Sequence, residues 1–329
     1  MNGRTLLLLI LLMLAGPVSY GSTTLPVAVR NALDYRNVPS EALSIYIENV
    51  TTGEVVLAWN EAEPRNPASV EKMVTTLVAL DTLGPAFRWK TEISLLGEVS
   101  DGVVNGDVLL KGYGDPYLVT ERFWQMLRQL RQEGVSEISG NLLLDDSYFD
   151  VGNYDPGAFD REPLRAYNVA PNALLTNFKV VRYFFEPDPS TSQVRVRLEP
   201  SIDNLDVINR LRVGNGACRG YQRGITITPN EDFSRVTFSG QFPSGCEIYA
   251  MDRSALSHNA FTYGVFKSLW NESGGDFSGG WKNVVADEST EPVVVFDSLP
   301  LADIIAKVNK YSNNVMAKQL LYTLAAEKY

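Results

Sequence analysis

The apolar and polar positions of the chain change period several times, and each change marks an expected element. An uninterrupted apolar run fills residues 6–14 behind a short start that carries Arg4. Pro17 breaks the run, and Ser19-Tyr20-Gly21 sets small residues where a signal peptidase cuts. The run is too short to span a bilayer as a helix, so residues 1–21 read as a secretory signal peptide. No cysteine follows it, which excludes a bacterial lipid anchor at that point, and no other stretch is long and apolar enough to span. The mature protein is expected to be exported, periplasmic, and without a stable membrane anchor after cleavage.

Residues 26–35 have the period of a short amphipathic helix. Residues 44–50 alternate, with Ile45 and Ile47 against Tyr46 and Glu48, and 55–59 return after a turn at 51–54, which predicts a hairpin. Asn66 can cap and Pro67 suits a first turn, so a helix is expected from there to Leu83, where Gly84-Pro85 ends it. Residues 88–111 read as extended, with Gly102 and Gly106 at turns. Residues 121–133 form a helical pattern with Phe123, Leu127 and Leu130 on one face, closed by Gly134. A strand pair is expected over 135–146, with 142–144 buried. Residues 148–165, rich in Asp, Pro and Gly, read as a long loop of the kind that often carries function.

From about 178 to 252 the chain alternates with period two, most cleanly at 194–198, which suggests a compact all-β segment. Helical patterning returns at 254–270 and 301–310. After a break at 311–314 it resumes over 315–326, with Val315, Met316, Leu320 and Leu324 as the apolar face. The sum is an α+β chain.

Composition narrows the functional classes. Hydrophobic residues make up 45% and charged residues 21%, ordinary values for a globular protein. The net charge is −10, so no basic excess exists to neutralise phosphates, and nucleic acid is not an expected partner. Cys218 and Cys246 are the two cysteines. An oxidising compartment favours one disulfide between them, with two buried free thiols as the alternative. With His258 the one histidine, no zinc shell of the usual kind can be assembled, and neither metal nor cofactor is expected.

Ser69 and Lys72 stand three residues apart near a helix start, so hydroxyl and amine share a face, a spacing that a solvated serine–lysine pair on an ordinary helix also shows. The helix dipole there favours negative charge developing on the serine oxygen. Lysine acts as a base only when neutral, which partial burial and a nearby cation can arrange. A Ser-His-Asp triad would have to use His258, which reads as a surface or helix-start residue, and no Gly-x-Ser-x-Gly elbow pairs with it. In a serine enzyme of this sequence, lysine is therefore the base. Ser312-Asn313-Asn314 falls at the break between two helices, where a polar turn can hold a hydroxyl and an amide in a cleft; a plain interhelical turn uses the same residues.

Taken together, the segments 66–72, 112–116 (Gly-Tyr-Gly-Asp-Pro), 167–174 and 309–317 resemble the D-alanyl-D-alanine carboxypeptidase/endopeptidase family, the class C low-molecular-mass penicillin-binding proteins. The resemblance implies a β-lactamase/transpeptidase-like penicilloyl-serine domain, interrupted by a large, mostly β nested insertion. Ser69 and Ser312 stand much further apart than in a minimal domain of that type, as such an insertion requires. The implied boundaries are 22–95 and 253–329 for the penicillin-binding domain and 96–252 for the insertion, with an all-β sub-insert around 178–252 that holds both cysteines.

By the same resemblance, Ser69 attacks the D-Ala–D-Ala carbonyl, its amide forms half of an oxyanion hole, and Lys72 takes its proton. Ser312 relays a proton to the leaving amine, and Asn314 holds the substrate amide and polarises Lys72. The implied partners are peptidoglycan stem peptides, with β-lactams as covalent inhibitors. Asp160 stands where an acidic side chain is expected to bind a diaminopimelyl amino group. The family's Lys-Thr-Gly motif does not follow Asn314, so the sequence reads as C-terminally truncated and, alone, as lacking peptidase activity. Two other readings compete: a β-lactamase-like or esterase hydrolase on the same fold, and a noncatalytic periplasmic binding protein. Four intact site residues weigh against the last.

Overall fold

The computed structural model describes residues 22–188, 190–215, 218 and 224–328, so the expected signal peptide at 1–21 lies outside the described residues. The chain divides into two compact units, Met1–Ala68 and Ser69–Tyr329.

In the first unit, helix α1 (Val27–Arg36) ends where Asn37 turns left-handed and its N–H returns to the Asp34 carbonyl. Strands β1 (Ile45–Glu48) and β2 (Val55–Trp59) form the expected antiparallel hairpin, with Ile45 opposite Trp59. Asn49 Oδ1 accepts from the amides of Thr51 and Thr52 and shapes the turn between them. Asn66 Oδ1 accepts from the Ala68 amide at 2.8 Å, so Asn66 does arrest the chain before a helix. The α-helix itself starts later than expected. Ala68–Val70 is a 3-10 turn, and Ser69 sits in that turn rather than on the α-helix proper. Tight i to i+3 turns are common where α-helices begin, and Pro67 keeps Asn66 out of helical backbone.

In the second unit, α2 (Glu71–Leu83) leads to strands β3 (Lys90–Ser100) and β4 (Val103–Gly112), helix α3 (Thr120–Gln132), and the short strands β5 (Glu137–Ile138) and β6 (Leu142–Asp145). A second run of strands follows: β7 (Val180–Asp188), β8 (Gln193–Glu199), β9 (Asp206–Gly214), β10 (Ile225–Pro229), β11 (Arg235–Pro243) and β12 (Tyr249–Ser254). The unit closes with α4 (His258–Glu272), β13 (Asp276–Phe277), β14 (Trp281–Asn283), β15 (Val294–Asp297), α5 (Leu301–Tyr311) and α6 (Asn314–Lys328).

Strands β7–β12 make a six-stranded sheet in the order β10-β11-β9-β8-β7-β12, the expected all-β segment. Cys218 and Cys246 are joined by a disulfide beside it, with Cα atoms 4.7 Å apart. The other sheet has seven strands and runs β13-β5-β4-β3-β15, with β6 between β4 and β14. Its strands come from both sides of the expected insertion limits at 96 and 252, since β13, β14 and β15 pair with β5, β6 and β3.

Three local expectations are corrected. Residues 135–146 are not a strand pair: β5 and β6 both run parallel to β4, one after the other along it. Gly106 is not at a turn but in mid-strand opposite Gly97, where a Cβ would stand 2.4 Å from the Leu96 carbonyl oxygen. The helix expected from 254 begins at His258, capped by Ser257, because Ser254 still pairs in β12. His258 is thus the helix-start residue expected, and it is half-buried. Its Nε2 is buried without a hydrogen-bond partner, and burial, with the Lys179 cation adding to it, pushes the imidazole well below its usual range.

Two apolar clusters hold this unit. The larger joins both sheets to Phe123, Leu127 and Leu130 of α3 and Phe261, Phe266 and Trp270 of α4. The smaller packs Ala79 of α2 and Trp89 against Leu301, Ile304 and Val308 of α5 and Met316 and Leu320 of α6. That cluster fixes the three helices that carry the site. Gln319 of α6, fully buried, extends the lock. Its Oε1 accepts from the Asn172 amide at 2.8 Å, and its Nε2 donates to the carbonyls of Asn172 and Gly114 at 2.9 and 3.2 Å.

Asp115, between β4 and α3, is buried. Its Oδ1 accepts from the Tyr117 amide while its Oδ2 has no partner. Burial pushes its pKa up to about 6, against the opposing pull of the Tyr117 amide and Arg122.

Two outcomes follow for stability. Replacing Gln319 with Leu leaves a buried amide and two carbonyls unpaired, so its urea-unfolding midpoint should fall by the equivalent of about 2–4 kcal/mol. At Asp115 the folded state binds the proton more tightly than the unfolded state. The stability this lends is complete below the ordinary 3.8 and is lost as pH rises through about 6. Asp115→Asn carries no such charge, so its stability relative to the parent should rise between about pH 4 and 7, by on the order of 3 kcal/mol in urea titrations.

Candidate active site

Ser69 sits in the 3-10 turn immediately before α2, exposed, with Lys72 one turn further on. Lys72 Nζ donates to Ser69 Oγ at 3.0 Å and to Asn314 Oδ1 at 2.6 Å. Lys72 and Asn314 are 242 positions apart in sequence, so this contact is made by packing alone. Three features bring it about. Asn313 caps α6, its Oδ1 accepting from the Met316 amide, which makes Asn314 the first helical residue and turns its side chain out at the helix start. The small apolar cluster sets α6 against α2. Finally, buried Thr76 Oγ1 donates back to the Lys72 carbonyl at 2.8 Å and accepts from Asn309 Nδ2 of α5 at 3.1 Å.

The surroundings of Lys72 weaken its hold on a proton. Burial pushes its pKa below the usual lysine value, Glu71 on its own helix opposes that, and Lys318 of α6 lowers it further. A half-buried amine in contact with a serine hydroxyl, held by an amide oxygen and repelled by a second ammonium, has the geometry and the charge bias of a general base.

Ser312 is placed differently. It ends α5 in left-handed backbone, exposed, and among the described residues no hydrogen bond ties its hydroxyl to Ser69 or Lys72. It lines a cavity of about 1280 Å³ together with Asn314, Tyr311, Trp124 and Tyr167, and neither Ser69 nor Lys72 is part of that wall. Asp160 is not part of that wall, but it is hydrogen-bonded to Tyr167, which is. Its carboxylate accepts from the Tyr167 hydroxyl at 2.7 Å, from Asn168 Nδ2 at 2.8 Å and from the Glu162 amide at 3.0 Å. The Tyr167 hydrogen bond does most to hold this carboxyl below its usual range.

Sequence reasoning missed Thr76, Asn309, Lys318 and Gln319. The signal for Lys318 was present: it stands four residues after Asn314 in an expected helix, hence on the same face. For Thr76 and Asn309 no local pattern distinguishes a buried bridging polar group from a solvated one.

Among the described residues no helix is long and apolar enough to cross a membrane, and no group of three or more His, Cys, Asp or Glu side chains could hold a metal ion. The chain is 21% identical over 286 residues to the D-alanyl-D-alanine carboxypeptidase DacB of Haemophilus influenzae, a match that covers 86% of this chain and 58% of that protein. It is 23% identical over 292 residues to a D-alanyl-D-alanine carboxypeptidase of an Actinomadura species, covering 86% of this chain and 54% of that one. The crystal structure of penicillin binding protein 4 from H. influenzae superposes with a TM-score of 0.71 at 19% identity, over 86% of this chain and 62% of that one. A second structure of that protein, complexed with a novel β-lactam, gives 0.66 at 18% identity, over 87% of this chain and 61% of that one. The chain therefore spans less than two thirds of the length of these relatives. The likeness shows the fold, the expected penicilloyl-serine architecture with its β-rich insertion. The D-Ala-D-Ala carboxypeptidase 3 (S13) family matches residues 27–329, and the chain belongs to that family.

Proposed function

We propose that the protein is a serine-type D-Ala-D-Ala carboxypeptidase/endopeptidase that acts on peptidoglycan stem peptides through an acyl-enzyme on Ser69. One observation carries the reading: Lys72 Nζ lies within hydrogen-bond reach of both Ser69 Oγ and Asn314 Oδ1.

The proposed steps start from that geometry. Neutral Lys72 takes the Ser69 proton as Oγ bonds to the carbonyl carbon of the terminal D-Ala–D-Ala bond. The carbonyl oxygen gains negative charge, which the amide of Ser69 and the start of α2 favour. The proton then passes to the amide nitrogen, by way of Ser312 in this reading, as the C–N bond breaks and D-alanine or a cross-linked amine departs. Water hydrolyses the ester and restores Ser69. Asn314 has two tasks: its Oδ1 holds Lys72, and its Nδ2 remains free to meet a substrate carbonyl. A β-lactam would acylate Ser69 by the same attack and leave slowly.

This reading also takes residues 1–21 as an export signal and the periplasm as the place of action. The disulfide between Cys218 and Cys246 suits an oxidising compartment. The domain assignment is part of the proposal: a penicillin-binding domain at 22–95 and 253–329, interrupted at 96–252 by an insertion that holds the six-stranded sheet, with strands of the other sheet drawn from both parts. An amino group of the substrate would have to compete with Tyr167 and Asn168 for Asp160.

Fluorescent penicillin should label the full gene product stoichiometrically, and Ser69→Ala should take no label. Labelling that persists in the alanine variant rejects Ser69 as nucleophile, and steady nitrocefin turnover points instead to a β-lactamase-like hydrolase. In Asn314→Ala, Lys72 loses its acceptor, and the acylation rate measured by stopped-flow should drop about 100-fold.

A further inference from the structure

Lys318 carries a second ammonium on the helix whose first residue holds Lys72, and its surroundings are built rather than incidental. It stands four residues after Asn314 on α6, so the amide that holds Lys72 and the Lys318 stem share one helix face. Its Nζ donates to the hydroxyl of Tyr154 and, at 3.4 Å, to the carbonyl of Val169. Both acceptors are neutral, and the Nζ lies 4.9 Å from the centre of the Tyr154 ring. Among the described residues no carboxylate pairs with Lys318. An ammonium paired with a carboxylate would project little field. One held by a hydroxyl, a carbonyl and a ring has no opposite charge beside it to cancel its field, and it is half-buried, where screening by water is reduced.

We propose that Lys318, held by Tyr154 and Val169, is a positioning residue whose charge disfavours a proton on Lys72 and so keeps Lys72 available as the base for Ser69. The inference rests on the Ser69–Lys72 reading above and adds a tuning group to it. The charged side chains that act on Lys72 are Glu71 from its own helix, which favours the proton, and Lys318 from α6, which opposes it. Helix α5 approaches through Asn309, by way of Thr76, and both are uncharged. The long loop presents Tyr154, and the residue that follows the 3-10 turn Ala166–Asn168 presents the Val169 carbonyl, and both accept from Lys318. Glu71 and Lys318 therefore oppose each other, and burial adds to the Lys318 side. The loop takes part in the chemistry at one remove, by holding the cation in place.

The test reads Lys72 directly. Lysine labelled with carbon-13 is incorporated into the full protein, the Lys72 signal is assigned by its loss in Lys72→Arg, and its chemical shift is followed against pH. Lys318→Met should move the Lys72 midpoint to higher pH, and Lys318→Gln should do the same if the Met variant fails to fold. Lys318→Arg, which keeps the charge, should titrate near the parent. Tyr154→Phe, which loosens the hold, should fall between parent and Met. The acid limb of penicillin acylation should move upward in the same order. An unchanged Lys72 midpoint in both Met and Gln variants overturns the proposal, as does an Arg variant that behaves like Met. A parent protein that takes no penicillin on Ser69 would reject the nucleophile assignment instead, while the lysine titration would still decide the role of Lys318.

Discussion

The hydrogen bond between Lys72 and Asn314 is the constraint around which this site is organised. It joins two helices from opposite ends of the second unit, and it has meaning only if the whole intervening chain folds back on itself. At 2.6 Å it is short for an amine and an amide oxygen, and it competes with water on a half-buried side chain. By itself such a contact contributes on the order of 1 kcal/mol, too little to fold the intervening chain. The two apolar clusters do that work, the smaller one setting α2, α5 and α6 together, and the polar contact then favours one rotation of α6. Asn313 as cap and Gln319 as buried clamp remove the remaining freedom.

Polar groups in this structure are specific where they are buried and satisfied. Gln319 meets an amide and two carbonyls, whereas Asp115 and His258 each leave one buried atom unpaired. The contrast separates groups that define the architecture from groups that make it depend on pH. Lys72 belongs to neither class. It is half-buried and hydrogen-bonded to Ser69, and the proposed function needs that partial exposure for the proton to move.

Much of the fold was legible because it rests on local rules. The hairpin at β1 and β2, helices α3, α5 and α6, and the alternating strands of the six-stranded sheet all follow from period and turn residues. What failed was non-local. Strands β5 and β6 are too short to carry a pattern, and their partner β4 lies earlier in the chain, so adjacency suggested a hairpin where parallel pairing occurs. Gly106 looked like a turn residue because glycine serves both turns and close strand approach. Ser69 and Lys72 were visible as a spacing; their junction with Asn314 was visible only through family resemblance, since no sequence rule brings helix starts 242 positions apart into contact.

The same limit explains why the proposed tuning group escaped notice while the proposed base did not. A serine–lysine spacing of three announces shared chemistry because both groups lie on one helix. Lys318 also lies at helical spacing from a site residue, but that residue is Asn314, whose own role depends on a tertiary contact. Charge placement is thus one step further from sequence than nucleophile placement. It needs the helix, then the docking of that helix, then the loop that supplies neutral acceptors in place of a carboxylate. A glutamate at 154 would satisfy the same ammonium better and cancel its field at Lys72. The hydroxyl of Tyr154 holds the cation without neutralising it, which is what a group that acts through its charge requires.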